Sequence, residues 1–413
     1  MTKPRIEIFA EKTKLIAGVT QNVDVLIRIT PPEQSGNGSK RPELNLGIAL
    51  DRSGSMQGKK MKEARDAAKF CIDQLLSTDH ISAVIFDDQI DVLFTNQPLV
   101  DPIALKRGID RIEARNSTAL HEGWVQAGLQ VSEDLSTTGI NRVLLITDGQ
   151  ANVGETNVDR IVSHAAELAG KGISTTTIGI GTDFNEDLLL PMAEAGGGNG
   201  WHVREPEDMV SIFETELHGL VRQFAKNVQM TIITADGVRI TDSMNDFPRG
   251  EAGEYTLPNL LSGSPLDIVL RLEVQAGSTR SELLKIELDY TSQGNGNRDT
   301  STTVFVSEFD SRDAVKALES NKDVRKAVQL LMNARARLEA MRRMDRGDFQ
   351  AARAMIAQAA DDSDVLFCLA PSADLMDDIG DLKSVSKMLE HRTDDLSSRK
   401  RMAYGREQRR KSK

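Results

Sequence analysis

Hydrophobic and polar positions change period three times along the chain. Residues 5–29 alternate at period two, with Ile6 and Ile8 and then Val23, Val25, Ile27 and Ile29 on one side, and so predict strands. The stretch PPEQSGNGSKRPE (31–43) is polar and rich in Pro, Gly and Ser, and breaks the pattern. From 44 to about 224, short apolar runs at 44–50, 81–86, 92–94, 142–147, 174–179 and 201–203 alternate with segments of helical period. Met61, Ala64, Ala68, Cys71 and Leu75 form one apolar face of the first helix. Further helices are predicted around 103–112, 121–133, 157–170, 185–195 and 207–224. Strand patterns return at 228–234, 238–240, 266–274, 283–290 and 302–309. Residues 311–395 then keep helix spacing, as in Val324, Ala327, Val328, Leu331, Ala334, Leu338 and Met341.

These periods imply an architecture. Strand–helix alternation with right-handed crossovers builds an α/β, doubly wound, mostly parallel, Rossmann-like sheet with helices on both faces. It is expected over 42–225. Strands within 1–30 are too few to bury a face alone. They are expected to join 226–309 in one β-sandwich, with the α/β domain inserted between its halves. A C-terminal helical domain follows over 310–395, with Gly347 ending one helix and Asp348 capping the next. A third helix is expected at 369–392. Residues 399–413 hold eight Lys or Arg against one Glu, while the whole chain carries −11. The segment 396–413 therefore reads as a basic, disordered tail.

Composition narrows the class. The chain's 413 residues call for more than one domain, and 39% hydrophobic with 27% charged residues suits a globular protein. A net −11 argues against general nucleic-acid binding, leaving only the basic tail for such a contact. Two cysteines, Cys71 and Cys368, fit a reducing compartment. The N-terminal segment has no continuous apolar core of a secretory signal, and no apolar run is long enough to span a membrane, so a cytoplasmic location is expected.

The candidate chemistry lies in three loops. LALDRSGSM places Asp51, Ser53 and Ser55 just after the first α/β strand. RNSTALHEG supplies Thr118, and VLLITDGQANVG supplies Asp148. Ligands gather beyond the carboxyl ends of strands in such sheets. Two carboxylates and three hydroxyls suit a hard cation that takes oxygen ligands. In this order and context, D-x-S-x-S, Thr and T-D-G resemble the intact metal-ion-dependent adhesion site of the von Willebrand factor A family, as in multi-domain intracellular bacterial members. The resemblance covers roughly 42–225.

The resemblance implies a Mg²⁺ site, with Mn²⁺ or Ca²⁺ as alternatives, held by Asp51, Ser53, Ser55, Thr118 and Asp148. At least one of the aspartates acts through a water, and a coordination position is left for an Asp or Glu of a protein partner. It implies a non-enzymatic interaction module, an adaptor or regulator in an intracellular complex, with a MoxR-type AAA+ ATPase among the expected partners. One departure is local: the family often has two glycines where this chain has Asn116 and Ser117.

Two rival readings share these features. A phosphatase of the haloacid-dehalogenase type also has an Asp after its first strand, followed by D-x-D, but here the acid/base position is Ser53, which cannot do that proton work at neutral pH. The other is a metal-independent assembly or scaffold protein. Arg346-Gly347-Asp348 reads as a helix stop and start rather than an adhesion ligand. Gly196 to Gly200 lacks the Lys-Ser/Thr of a phosphate loop and reads as a tight approach to the edge strand. His121 and His202 sit in no metal pattern and are expected to pack.

Overall fold

A computed structural model describes residues 3–33, 42–115, 117–136, 139–181, 184–203, 222–250, 252–277, 280–292, 296–391 and 395–411. The chain divides into two compact units. One comprises Met1–Ser35, Gln223–Ser292 and Asn297–Lys413; the other comprises Gly36–Arg222 and Gln293–Gly296. Strands β1 (Arg5–Ala10), β2 (Lys14–Ile16) and β3 (Gln21–Thr30) open the first unit.

The second unit is α/β. Its strands are β4 (Leu44–Asp51), β5 (His80–Phe86), β6 (Ile90–Pro98), β7 (Ile140–Thr147), β8 (Ile173–Ile180) and β9 (Gly197–Val203). They lie in the order β6-β5-β4-β7-β8-β9. All neighbours are parallel except the antiparallel β5–β6 pair at one edge. Helices α1 (Lys59–Gln74), α2 (Pro102–Asp110), α3 (Leu120–Ser132), α4 (Val158–Gly170) and α5 (Glu186–Ala195) follow the expected spacing.

β4 is buried along its whole length, which is why it reads as a continuous apolar run rather than an alternation. Leu44, Leu46, Ile48 and Leu50 share a core with Met61, Ala64, Ala68 and Cys71 of α1. The opposite face meets α3 at Gly47, where a Cβ would stand only 2.6 Å from Val131 Cγ2. That close approach needs glycine. The glycine run behaves as expected too: a Cβ on Gly198 would lie 2.2 Å from the Thr175 carbonyl.

The first unit is a β-sandwich with helices. It adds β10 (Gln223–Thr234), β11 (Val238–Ser243), β12 (Tyr255–Leu257), β13 (Leu260–Leu261), β14 (Leu266–Val274), β15 (Ser281–Ser292) and β16 (Arg298–Asp310). One sheet has the order β1-β3-β14-β11 and the other β12-β10-β15-β16-β2, with β13 also on β10. β3 pairs with β14 from Gln21↔Val274 to Ile29↔Leu266, so strands far apart in sequence complete one sheet. Val25, Ile27, Ile268 and Leu270 face Met230, Ile286 and Leu288 of the other sheet across a shared core.

The helices are α6 (Arg312–Ala317), α7 (Lys322–Asp345), α8 (Phe349–Leu369), α9 (Ala373–His391) and α10 (Asp395–Arg410). Leu26 and Val269 turn to the outer face of their sheet and pack on Val324, Ala327 and Leu331 of α7. Gly347 adopts φ 80°, and the Asp348 carboxylate accepts from Ala351 N at 3.1 Å, as expected for a stop followed by a cap.

Two expectations are corrected. Residues 207–221 of the expected helix 207–224 lie outside the described residues, and its end belongs to strand β10. The alternation of β10 is interrupted by Asn227 at φ 52° and by a register shift between Lys226 and Gln229, which hides its first half. The tail 396–413 is not disordered where described: Asp395–Arg410 is helix α10. Its charges have partners. Arg399 pairs with Asp345 at 3.0 Å, Arg401 with Asp381 at 2.5 Å and Arg409 with Asp378 at 2.9 Å, while Met402 is buried.

Asp378 is the centre of that polar core. Its Oδ1 accepts from Arg337 Nη2 and Arg409 Nε, each at 2.9 Å, and its Oδ2 accepts from Asn333 Nδ2 at 2.7 Å. Arg337 and Asp378 are 0% and 1% exposed in their side chains. Asp378→Ala leaves a buried guanidinium without its main counter-charge and is expected to cost about 3–5 kcal/mol. Urea unfolding followed by circular dichroism measures it; a loss below about 1 kcal/mol, the range of a surface pair, contradicts it.

Candidate metal centre

Parallel pairing of β4 with β7 sets the site. Leu50 pairs with Ile146, so Asp51 and Thr147 stand side by side at the carboxyl edge. The Asp51 carboxylate is fully buried. Its Oδ1 accepts from Ser53 N at 2.7 Å and its Oδ2 from Thr147 Oγ1 at 2.5 Å. Burial pushes its carboxyl up to about 6, the Thr147 and Ser53 hydrogen bonds oppose that shift, and the nearby Asp148 adds to it.

The chain then makes a short 3-10 turn, Gly54–Met56, pinned by the buried Met56. Ser53 Oγ and Ser55 Oγ lie 3.0 Å apart. Ser53 is buried and Ser55 exposed, so the group opens to solvent on the Ser55 side. Asp148 is fully buried, and Lys60 Nζ from α1 donates to its Oδ2 at 3.1 Å.

Thr118 is also buried, in the loop ahead of α3. Its N–H donates to Asn152 Oδ1 at 2.7 Å, and its carbonyl accepts from Asn152 N and Val153 N, both at 3.1 Å. These bonds stitch its loop to the loop that follows Asp148. The structure thus links Asp51, Ser53 and Ser55 directly, joins Asp148 to them through Thr147, and brings Thr118 in through Asn152. Asn116 lies outside the described residues.

A second layer surrounds the loops. Asp87, fully buried beyond β5, accepts on Oδ1 from Gln89 N at 2.8 Å and on Oδ2 from Arg115 Nε at 2.5 Å. Arg52 Nε lies 3.3 Å from the same Oδ2. Burial alone would raise the Asp87 carboxyl, but the Gln89 N–H and the two guanidinium groups outweigh it and hold the group below the usual range. Thr147, Lys60, Asp87, Arg115 and Asn152 escaped the sequence reading. The one available signal was a pair of acids, Asp87-Asp88, at the end of a predicted strand.

The histidines pack, as expected. His121 Nε2 and His164 Nδ1 are 2.9 Å apart, and burial lowers the His121 pKa. His202 Nε2 is 2.8 Å from the Gly181 carbonyl oxygen. Among the described residues no three or more His, Cys, Asp or Glu side chains cluster as a metal site. No helix there is long and apolar enough to cross a membrane.

Comparison with known proteins identifies the fold around these loops. Residues 45–215 match the von Willebrand factor type A domain model. The chain is 25% identical over 314 residues to the uncharacterized protein sll0103 of Synechocystis, covering 68% of this chain and 74% of that one. It is 24% identical to YfbK of Escherichia coli over 54% of this chain and 39% of that one. It is 26% identical to human inter-alpha-trypsin inhibitor heavy chain H2, spanning only 20% of that protein. Two solved structures share the fold along nearly the whole chain. A von Willebrand factor type A protein from Catenulispora acidiphila has TM-score 0.68 at 19% identity, covering 96% of this chain and 92% of that one. The ArnB paralog VWA2 from Sulfolobus acidocaldarius has TM-score 0.58 at 16% identity, covering 98% and 99%.

The Lys60–Asp148 bond generates a prediction. In the presence of EDTA, Lys60→Met is expected to lower unfolding free energy by about 1.5–3 kcal/mol, the range for a hydrogen bond to a charged group. Denaturant titration measures it, and an unchanged midpoint contradicts the pairing.

Proposed function

From the match of residues 45–215 to the von Willebrand factor type A domain model, we propose that this protein binds an acidic residue of a partner protein through a divalent cation held by Asp51, Ser53, Ser55, Thr118 and Asp148. The observation that carries the reading is the pair of serine hydroxyls 3.0 Å apart beside the buried Asp51 carboxylate. Neighbouring oxygens in an octahedron with bonds of about 2.1 Å stand about 3.0 Å apart, so the pair fits Mg²⁺.

The donor set also fits in charge. Three hydroxyls are neutral, and only two carboxylates are present. Both Asp51 oxygens already accept hydrogen bonds from Ser53 N and Thr147 Oγ1, which orients the carboxylate and suits contact through water. A cation with so few anionic ligands supplies Lewis acidity toward a carboxylate from outside. The chain's own part is to hold the hydroxyls and to leave the Ser55 side open.

The reading is of a binding module, not an enzyme. Ser53 stands where a phosphatase needs an acid/base. The role proposed is adaptor or regulator in an intracellular complex, with a MoxR-type AAA+ ATPase as one partner class. Neither Cys71 nor Cys368 is in a disulfide, which suits the cytoplasm.

Asp51→Ala is expected to abolish Mg²⁺ and Mn²⁺ binding in calorimetric titration while the circular dichroism spectrum is retained. Equal binding by both proteins rejects the site. An affinity pull-down with Mg²⁺ and with EDTA is expected to retain acidic-faced partners only with the cation; identical captures argue against metal-bridged recognition.

A further inference from the structure

Asp87 does more than neutralise two arginines. Besides the side-chain bonds given above, its carbonyl accepts from Ala119 N at 2.7 Å, and its N–H donates to the Gln89 carbonyl at 3.0 Å. Arg52, which precedes Ser53, donates its N–H to the Phe86 carbonyl at 2.8 Å and accepts on its carbonyl from Arg115 N at 2.7 Å. Arg115 and Ala119 bracket Thr118. The Asp87 turn therefore grips the serine loop from one side and the Thr118 loop at two points. Both loops are fixed to it by backbone and charge-assisted bonds together.

We propose that Asp87 is a positioning residue that sets the span between Ser53 and Thr118, and thereby makes the site prefer Mg²⁺ over Ca²⁺. The inference rests on the metal reading of the previous subsection. It adds what that reading does not name, a residue outside the donor set that fixes the donors' spacing. Mg²⁺ demands a near-ideal octahedron at about 2.0–2.1 Å, whereas Ca²⁺ accepts more ligands at about 2.3–2.6 Å in flexible geometry. A span held rigidly at one value favours the smaller ion; a slack one removes that advantage. Asp87 touches no donor of the set. It acts through Arg52, Arg115 and Ala119, each next to or near a donor in sequence.

Asp87→Asn keeps shape and the acceptor for Gln89 N, but sets an amide N–H₂ against Arg115 and Arg52. The two guanidinium groups lose the buried one of the two carboxylates they share, the half-exposed Asp91 being the other, and the loops keep only the backbone part of their tie. Calorimetric titration of the full chain with Mg²⁺ and separately with Ca²⁺ tests this, with unfolding in EDTA as a check of the fold. Mg²⁺ affinity is expected to fall about 10–100-fold, as for loss of an outer partner of a metal site. Ca²⁺ affinity is expected to fall much less, so the Mg²⁺/Ca²⁺ ratio drops.

A merely structural role would weaken both ions together. Equal losses, or no loss, therefore overturn the proposal while leaving the site itself standing. If Asp87→Asn does not fold, Arg115→Ala removes one arm of the same tie from a half-exposed position, and the same drop in ratio is expected. An unchanged ratio there counts against the proposal. Wild-type protein that binds neither ion removes the metal reading, and this inference with it.

Discussion

Everything at the candidate site follows from β4 lying between β5 and β7 with all of them parallel. Parallel strands in adjacent register end together. Asp51, Asp87 and Asp148 are each the last residue of a strand or its first successor, so three carboxylates reach one edge from chain positions far apart. The burial that makes the sheet stable also takes these groups out of water. A buried acid without a partner is costly, and each of the three is answered differently. Asp51 takes a hydroxyl and a backbone N–H, Asp148 takes Lys60, and Asp87 takes two arginines.

The sandwich unit uses charge in another way. Asp378 and Asp381 lie among the helices and are neutralised by Arg337, Arg401 and Arg409. The buried Met402 shows that the same helix also contributes apolar contact. Arg401 and Arg409, both on α10, reach Asp381 and Asp378, so ion pairs hold that helix alongside its packing. Both units thus bury acids; in the α/β unit the buried Asp51 stands beside Ser53, whose hydroxyl meets that of the exposed Ser55.

Much of the fold was legible because each part kept its own period. The runs at 44–50 and 142–147 signalled strands covered on both faces, and the alternation of Val23, Val25, Ile27 and Ile29 signalled one inward face. That alternation understated β3, since Leu26 is buried too, under α7. The five candidate donors were legible because their order and spacing form a compound pattern. Their supports were not. Lys60, Arg115 and Asn152 are ordinary polar residues in sequence, and only the tertiary fold brings them to Asp148, Asp87 and Thr118. The α10 helix was missed for a similar reason: a run of cations looks solvated until its acids, Asp345, Asp378 and Asp381, are seen on other helices.

The pairing of β3 with β14 has a consequence for biosynthesis. β3 ends at Thr30 and its partner begins at Leu266. A ribosome adding roughly 5–20 residues per second needs on the order of tens of seconds to bridge that interval. Throughout it, the nascent chain carries an apolar strand whose edge has no mate. The α/β segment emerges whole in the meantime and can fold first, bringing order to the long intervening stretch before the sandwich closes. Strand β3 is thus made well before the strand β14 that completes its sheet.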